Sequence, residues 1–267
     1  MPIEWILPAI ELYKERHTLA SGWDRVIAAI FGAKARVAIV GPGGVGKSVL
    51  LDHVTGDAFK AGYTKPAKSR RAELGKAKAD GQRLAMVVVP GQGGPELDTM
   101  NEVLSPEKPV DGVMFVVGNG FITLRDERAK QVNIERGYDT IDKWRKLQIE
   151  AELRDLRETL GLMRAAQAKS RKPKWMMVCV TKVDLMQDEL TEIEAYYSPH
   201  GDSEFSQEIN TFTDQVGSDN FEWDAAPVCS ILEPFEWGED VRDSNLDAAA
   251  RDHYISQMVD RVGEMCR

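Results

Sequence analysis

Residues 41–48 read GPGGVGKS, between ARVAIV at 35–40 and SVLLDHV at 48–54. The β-branched run before the glycines predicts a strand and the apolar spacing after them a helix, so the order is strand, glycine loop, helix. Few folds accommodate that order, because the loop must turn tightly at the carboxyl end of a buried strand and open a helix at once. Glycine permits such a turn, and the successive backbone N–H groups then point inward beside the positive end of the helix. A concavity of that kind suits phosphate oxygens. Gly41, Gly43, Gly44, Val45, Gly46 and Val49 are therefore candidate binding residues, with Lys47 placed to reach β and γ phosphates and Ser48 to ligate Mg²⁺.

The rest of the chain predicts an α/β architecture. DGVMFVVGN at 111–119 and KWMMVCVTK at 174–182 are continuous apolar runs, as expected of strands buried on both faces, and a long helical stretch at about 138–169 separates them. Two strand-like runs in SRRAELGKAKADGQRLAMVVVP meet at Asp80-Gly81, a hairpin signal that implies one antiparallel edge strand. TEIEAYYS and SEFSQEINTFTDQV predict helices, APVCSIL at 225–231 a last strand, and LDAAARDHYISQMVDRVGEM a closing helix. The expected fold is a mostly parallel sheet with helices on both faces. Residues 1–34 form a separate N-terminal helical segment, and 35–267 the main domain with an extended helical insert at about 126–170.

Composition narrows the class. A net charge of −9 over 267 residues argues against a general nucleic-acid binder. Lys65, Lys68, Arg70, Arg71, Lys76, Lys78 and Arg83 form a local basic cluster, without the interleaved aromatics that stack bases, and lysines on an edge strand also discourage sheet-to-sheet association. Cys179, Cys229 and Cys266 lie far apart, which suggests neither a zinc site nor a disulfide framework and fits a reducing, cytoplasmic setting. No apolar run approaches the roughly 20 residues of a membrane span.

The base is read from TKVD at 181–184. It follows WMMVCV directly, so Thr181, Lys182 and Asp184 fall on a loop at a strand's carboxyl end, where open α/β sheets bind ligands. A carboxylate there accepts hydrogen bonds from N1 and N2 of guanine, and adenine lacks both donors on that edge. Lys182 can lay its aliphatic stem along the base plane. Ser230 and Ile231, in VCSIL, are candidates to offer backbone donors to the guanine carbonyl.

With these motifs in order, the stretch from about 35 to 265 resembles the Ras-like small GTPases and their translation-factor relatives, on the strength of GPGGVGKS, PGQ, TKVD and, faintly, CSI. The resemblance implies a Ras-like P-loop fold, GTP or GDP with Mg²⁺ as ligands, hydrolysis of GTP to GDP and phosphate, and a protein effector or regulator. It makes Thr64 the switch residue that closes on Mg²⁺ and the γ phosphate, Gly91 the donor to the γ phosphate and Gln92 the residue that orients the attacking water. At one position the chain departs from the family: Val88 stands where D-x-x-G puts an aspartate that helps hold the metal. The expectation is a slow, Mg²⁺-dependent GTPase switch, with a guanine-nucleotide-bound interaction module of impaired catalysis as the alternative. An ATP-dependent P-loop kinase would leave TKVD unexplained.

Overall fold

The computed structural model describes residues 36–60, 62–66, 73–75, 78–79, 82–83, 85–89, 110–167 and 173–266. The N-terminal segment 1–34, Gly91, Gln92, the Asp80-Gly81 turn and Lys68, Arg70, Arg71 and Lys76 of the basic cluster lie outside these residues.

The apolar runs become the sheet. Strands β1 (Arg36–Val40), β2 (Glu73–Gly75), β5 (Ala85–Val88), β6 (Gly112–Val117), β7 (Trp175–Val180) and β8 (Glu222–Pro227) hydrogen-bond in the order β2-β5-β1-β6-β7-β8. Every neighbouring pair is parallel except β2 with β5, so the antiparallel edge strand is present as expected. A small antiparallel ladder of β3 (Lys78–Ala79) and β4 (Gln82–Arg83) pairs Ala79 with Gln82. Each residue of β6 and β7 is buried, because helices cover both faces and no position on these strands meets water.

The helices are α1 (Lys47–Val54), α2 (Glu127–Glu135), α3 (Ile141–Gln167), α4 (Leu190–Tyr197), α5 (Glu204–Val216) and α6 (Ala248–Met265). In α5 the buried Phe205, Ile209 and Phe212 recur at helical spacing, and Ser203 caps the start by accepting from the N–H of Ser206 at 3.0 Å. The same logic holds in α3, where Leu153, Leu156, Leu160 and Met163 form the inward stripe. With 27 residues, α3 is about 40 Å long. Arg157 on its outer face pairs with Glu204 and Glu208 of α5.

Two details correct the sequence reading. The last strand ends at Pro227, so Val228 to Ile231 leave the sheet and follow it as irregular backbone. Between 232 and 245 the sequence predicted no element, yet β9 (Phe235–Trp237) and β10 (Asp240–Arg242) form an antiparallel hairpin. Its anchor is Trp237, whose ring stacks on Trp144 of α3 at 3.9 Å and whose indole N–H donates to the Tyr138 carbonyl at 2.6 Å. A tertiary stack of this kind leaves no periodic signal in eight residues.

Candidate functional site

The glycine loop is fixed by close backbone approach. Gly41 and Gly44 have φ of 125° and 84°, and a Cβ on either would lie 2.1 Å from the Val116 carbonyl oxygen or 2.3 Å from that of Thr123. Gly46 differs: a Cβ there meets nothing within 4 Å. The helix α1 therefore begins at an open concavity, with no side-chain cap and no acidic residue in its first turn. A helix start of that kind keeps its N–H groups and dipole for an anion.

Lys47 is buried, and its Nζ donates to the carbonyls of Gly41 and, at 2.7 Å, Pro42. The ammonium is thus held at the mouth of the loop by the backbone it arises from. Ser48 sits half-buried in the first turn and Val49 is buried beneath it. Thr181 ties the second motif to the first: its hydroxyl lies 2.8 Å from the Val45 carbonyl and 2.9 Å from that of Val117. Since one hydroxyl has one proton, it bonds these acceptors alternately.

Lys182 adopts φ 62°, a left-handed conformation that costs a non-glycine residue about 1 kcal/mol or more. Its Nζ donates to the Phe121 carbonyl at 2.5 Å and to Thr123 Oγ1 at 2.8 Å, and it lies 5.3 Å from the centre of the Phe235 ring. Burial pulls its pKa down to about 8, partly opposed by the negative charge of Asp184.

Asp184 is only 1% exposed. Oδ1 accepts from the Cys229 thiol at 3.2 Å, whereas Oδ2 has no hydrogen-bond partner among the described residues. Burial raises the pKa of this carboxyl, and the nearby Ser244 hydroxyl, which stays outside hydrogen-bond geometry, and the Cys229 thiol oppose the rise. The hydroxyl of Ser230 is likewise buried without a partner. A buried carboxylate oxygen without a partner is costly, and a ligand donor that reaches it recovers that cost.

Thr181, Lys182, Asp184 and Ser230 meet in one cavity of about 290 Å³. Val45, Gly46, Thr181, Lys182, Asp184, Ser230 and Ile231, all singled out from sequence, line it together. Sequence reasoning missed the other walls, among them Ile122, Thr123 and Leu124 after β6, Glu127 and Lys130 of α2, and Phe235 and Trp237 of the hairpin. The Gly118-Asn119-Gly120 turn after a buried strand was a usable signal for the first of these, as it marks another loop at a strand's carboxyl end. Nothing local marked the hairpin.

Thr64 is exposed, on irregular backbone. Its neighbours are fastened: Tyr63 donates to Asp52 of α1 at 2.8 Å and Lys65 pairs with Glu233. Val88 is 1% exposed at the end of β5, paired in register with Ile39, and belongs to the hydrophobic core. Among the described residues no cluster of His, Cys, Asp and Glu could hold a metal ion. No helix among them is long and apolar enough to cross a membrane.

Residues 36–149 match the model of a family described as the 50S ribosome-binding GTPase. A comparison with curated proteins finds no match. Among solved structures the chain is similar to a dimerization-deficient mutant of Toc33 from Arabidopsis thaliana, at 13% identity and a TM-score of 0.49, covering 99% of this chain and 96% of that one. Toc33 in complex with Mg²⁺ and GMPPNP gives 12% identity and 0.48, covering 96% and 95%. The small COPII coat GTPase SAR1 from Encephalitozoon cuniculi, in complex with GDP, gives 12% and 0.39, covering 92% and 89%. The match to this GTPase family covers the stretch that carries the glycine loop between β1 and α1, and the TKVD loop after β7 lies beyond the matched residues.

Proposed function

We propose that this protein binds GTP and GDP with Mg²⁺, hydrolyses GTP slowly, and acts as a molecular switch read by a protein effector or regulator. The observation that carries the reading is Asp184, a buried carboxylate with an unpartnered oxygen in the wall of a cavity that reaches the glycine loop. Guanine offers two donors on one edge and satisfies that oxygen; adenine does not. Lys47 and the N–H groups of the loop would bind the phosphates, and Ser48 and Thr64 are the hydroxyls that would hold the metal together with phosphate oxygens. This donor set fits Mg²⁺, which keeps several waters and leans on substrate phosphates. Such an ion would supply neutralisation of the phosphates' negative charge. Gln92 orients the attacking water, Gly91 donates to the γ phosphate, and Lys182 stacks along the base. Three free thiols are consistent with a reducing, cytoplasmic compartment.

Slow turnover follows from Val88. A partner of the metal's water shell is typically worth about 10–100-fold in affinity or activity, and an apolar core side chain supplies none of it. The same residue favours a second reading, in which the nucleotide is a structural ligand and the domain an interaction module. Single-turnover hydrolysis of GTP, with GTP and ATP affinities measured alongside by calorimetry, tests both. Tight GTP binding with measurable phosphate release supports the switch, binding without release supports the module, and equal affinity for ATP rejects the assignment of Asp184. Lys47→Ala, still folded, is expected to lose most triphosphate affinity in the same assay.

A further inference from the structure

The carboxylate of Glu152 lies inside the protein, 1% exposed, halfway along α3. Its Oε1 accepts from the backbone N–H of Gly118 at 2.9 Å and of Gly120 at 3.1 Å, and its Oε2 accepts from the Tyr197 hydroxyl at 2.7 Å. Both glycines belong to the turn that leaves β6. That turn runs directly into Phe121 and Thr123, the two residues that receive the Lys182 ammonium. Thr123 also donates its N–H to the Gly44 carbonyl at 3.4 Å, so one loop touches the base clamp and the phosphate cradle.

A second side chain of α3 grips the same loop. The Arg145 Nε donates to the Asn119 carbonyl at 3.3 Å, its guanidinium lies 4.4 Å from the centre of the Phe121 ring, and Glu189 holds its far end with two bonds of 3.1 and 2.7 Å. Asn119 itself has φ 47°, an uncommon backbone state that persists where surrounding contacts over-determine it. Lys182 has its own strained φ and rests on this loop from the other side. Neither Glu152 nor α3 belongs to a nucleotide motif, yet the seat of Lys182 hangs from them. If the carboxylate is removed, two buried N–H groups lose their acceptor and the turn must shift to find water or another partner.

We propose that Glu152 is a positioning residue for the base clamp, holding the 118–123 loop where it seats Lys182, so that α3 sets how long guanine nucleotide stays bound. The inference rests on the reading of the cavity as a guanine-nucleotide site. It makes the long helix a control element and not simply a crossover: a load applied along α3 reaches the clamp through Glu152 and Arg145.

The test is the release rate of N-methylanthraniloyl-GDP, chased with excess GDP, for Glu152→Ala in the native background and in a Lys182→Ala background, with folding checked by circular dichroism. Groups in one network couple by amounts that correspond to several-fold up to about a hundredfold. The expected result is roughly tenfold faster release in the native background and less than about twofold in the Lys182→Ala background. Glu152→Gln, which can offer its carbonyl to both N–H groups and its amide to Tyr197, is expected to stay within about twofold of native. Equal acceleration in both backgrounds overturns the proposal, as does native-like release by a folded Glu152→Ala. Should the alanine variant not fold, Glu152→Asp, shorter by one methylene, is read in the same two backgrounds by the same criterion. Failure of the native protein to bind the probe at all sinks the site reading, and the inference with it.

Discussion

The thiol of Cys229 lies 3.2 Å from Oδ1 of Asp184, and this one contact occupies one carboxylate oxygen while the other stays buried without a partner. The two residues are 45 positions apart, on the loops that follow neighbouring parallel strands β7 and β8. The thiol turns a symmetric acceptor into a directed one. It also keeps Cys229 protonated, since burial and the adjacent carboxylate both raise its pKa.

Base selectivity is expected to follow Asp184. In Asp184→Asn, the amide repels the guanine donors and can donate to the extra carbonyl of xanthine. Hydrogen bonds to a charged group contribute about 1.5–3 kcal/mol each, so GTP affinity should fall about 100-fold or more while xanthosine triphosphate gains. Competition binding with the two nucleotides measures it, and an unchanged preference for GTP rejects the assignment.

Guanine-nucleotide affinity is expected to pass through a maximum with pH. Binding needs the ionised Asp184, whose pKa is raised above 3.8 by burial, so affinity is lost as pH falls through that raised value. The Lys182 ammonium is seated on Phe121 and Thr123, and that seat weakens when the charge is lost, so affinity is expected to fall again as pH rises through about 8. For the nucleotide-free protein, linkage predicts the corresponding signs in stability. Asp184 binds its proton more tightly when folded, so its contribution lowers stability as pH rises from 3.8 to the raised value. Lys182 binds its proton less tightly when folded, so its contribution raises stability between about 8 and 10.5. Calorimetric titrations across pH, repeated with Asp184→Asn, should show the acid limb vanish in the variant.

The loop glycines should separate by neighbour. Gly44→Ala puts a Cβ 2.3 Å from the Thr123 carbonyl oxygen at φ 84°, which forces the loop away from its wall. Gly46→Ala meets only strain from φ 98°, because no protein atom stands near. Thermal melts are expected to show a larger loss for Gly44→Ala, with about 1–3 kcal/mol of backbone strain common to both. A Gly46→Ala variant that melts above Gly44→Ala yet binds nucleotide more poorly than its stability explains would place the ligand where the space is.

Val88→Asp is expected to destabilise the nucleotide-free protein by several kcal/mol, because it sets a carboxylate in the core at a position 1% exposed. If the strand end faces the metal, Mg²⁺·GTP recovers part of that loss by linkage and less Mg²⁺ is needed for half-maximal binding. Melting curves with and without Mg²⁺·GTP decide it. A loss that the ligand leaves untouched means that position 88 points only into the core.

How much was legible in advance depends on the range of the interaction. GPGGVGKS, WMMVCV and TKVD are contiguous, and their physics is local: glycine geometry, burial on both faces, and a loop that must follow a strand. They determined the fold class, the order strand, loop, helix, and five residues that line one cavity, to which VCSIL adds Ser230 and Ile231. The three-dimensional packing decided the rest. Trp237 reaches the site only by stacking on Trp144, 93 positions earlier, and Glu152 acts on it only because α3 brings its carboxylate against the turn at Gly118 and Gly120. The end of β8 at Pro227 was likewise set by where β7, its partner, stops at Val180. A side chain's role at long range is fixed by which backbone donors it meets when the layers close, and no window of sequence contains that information.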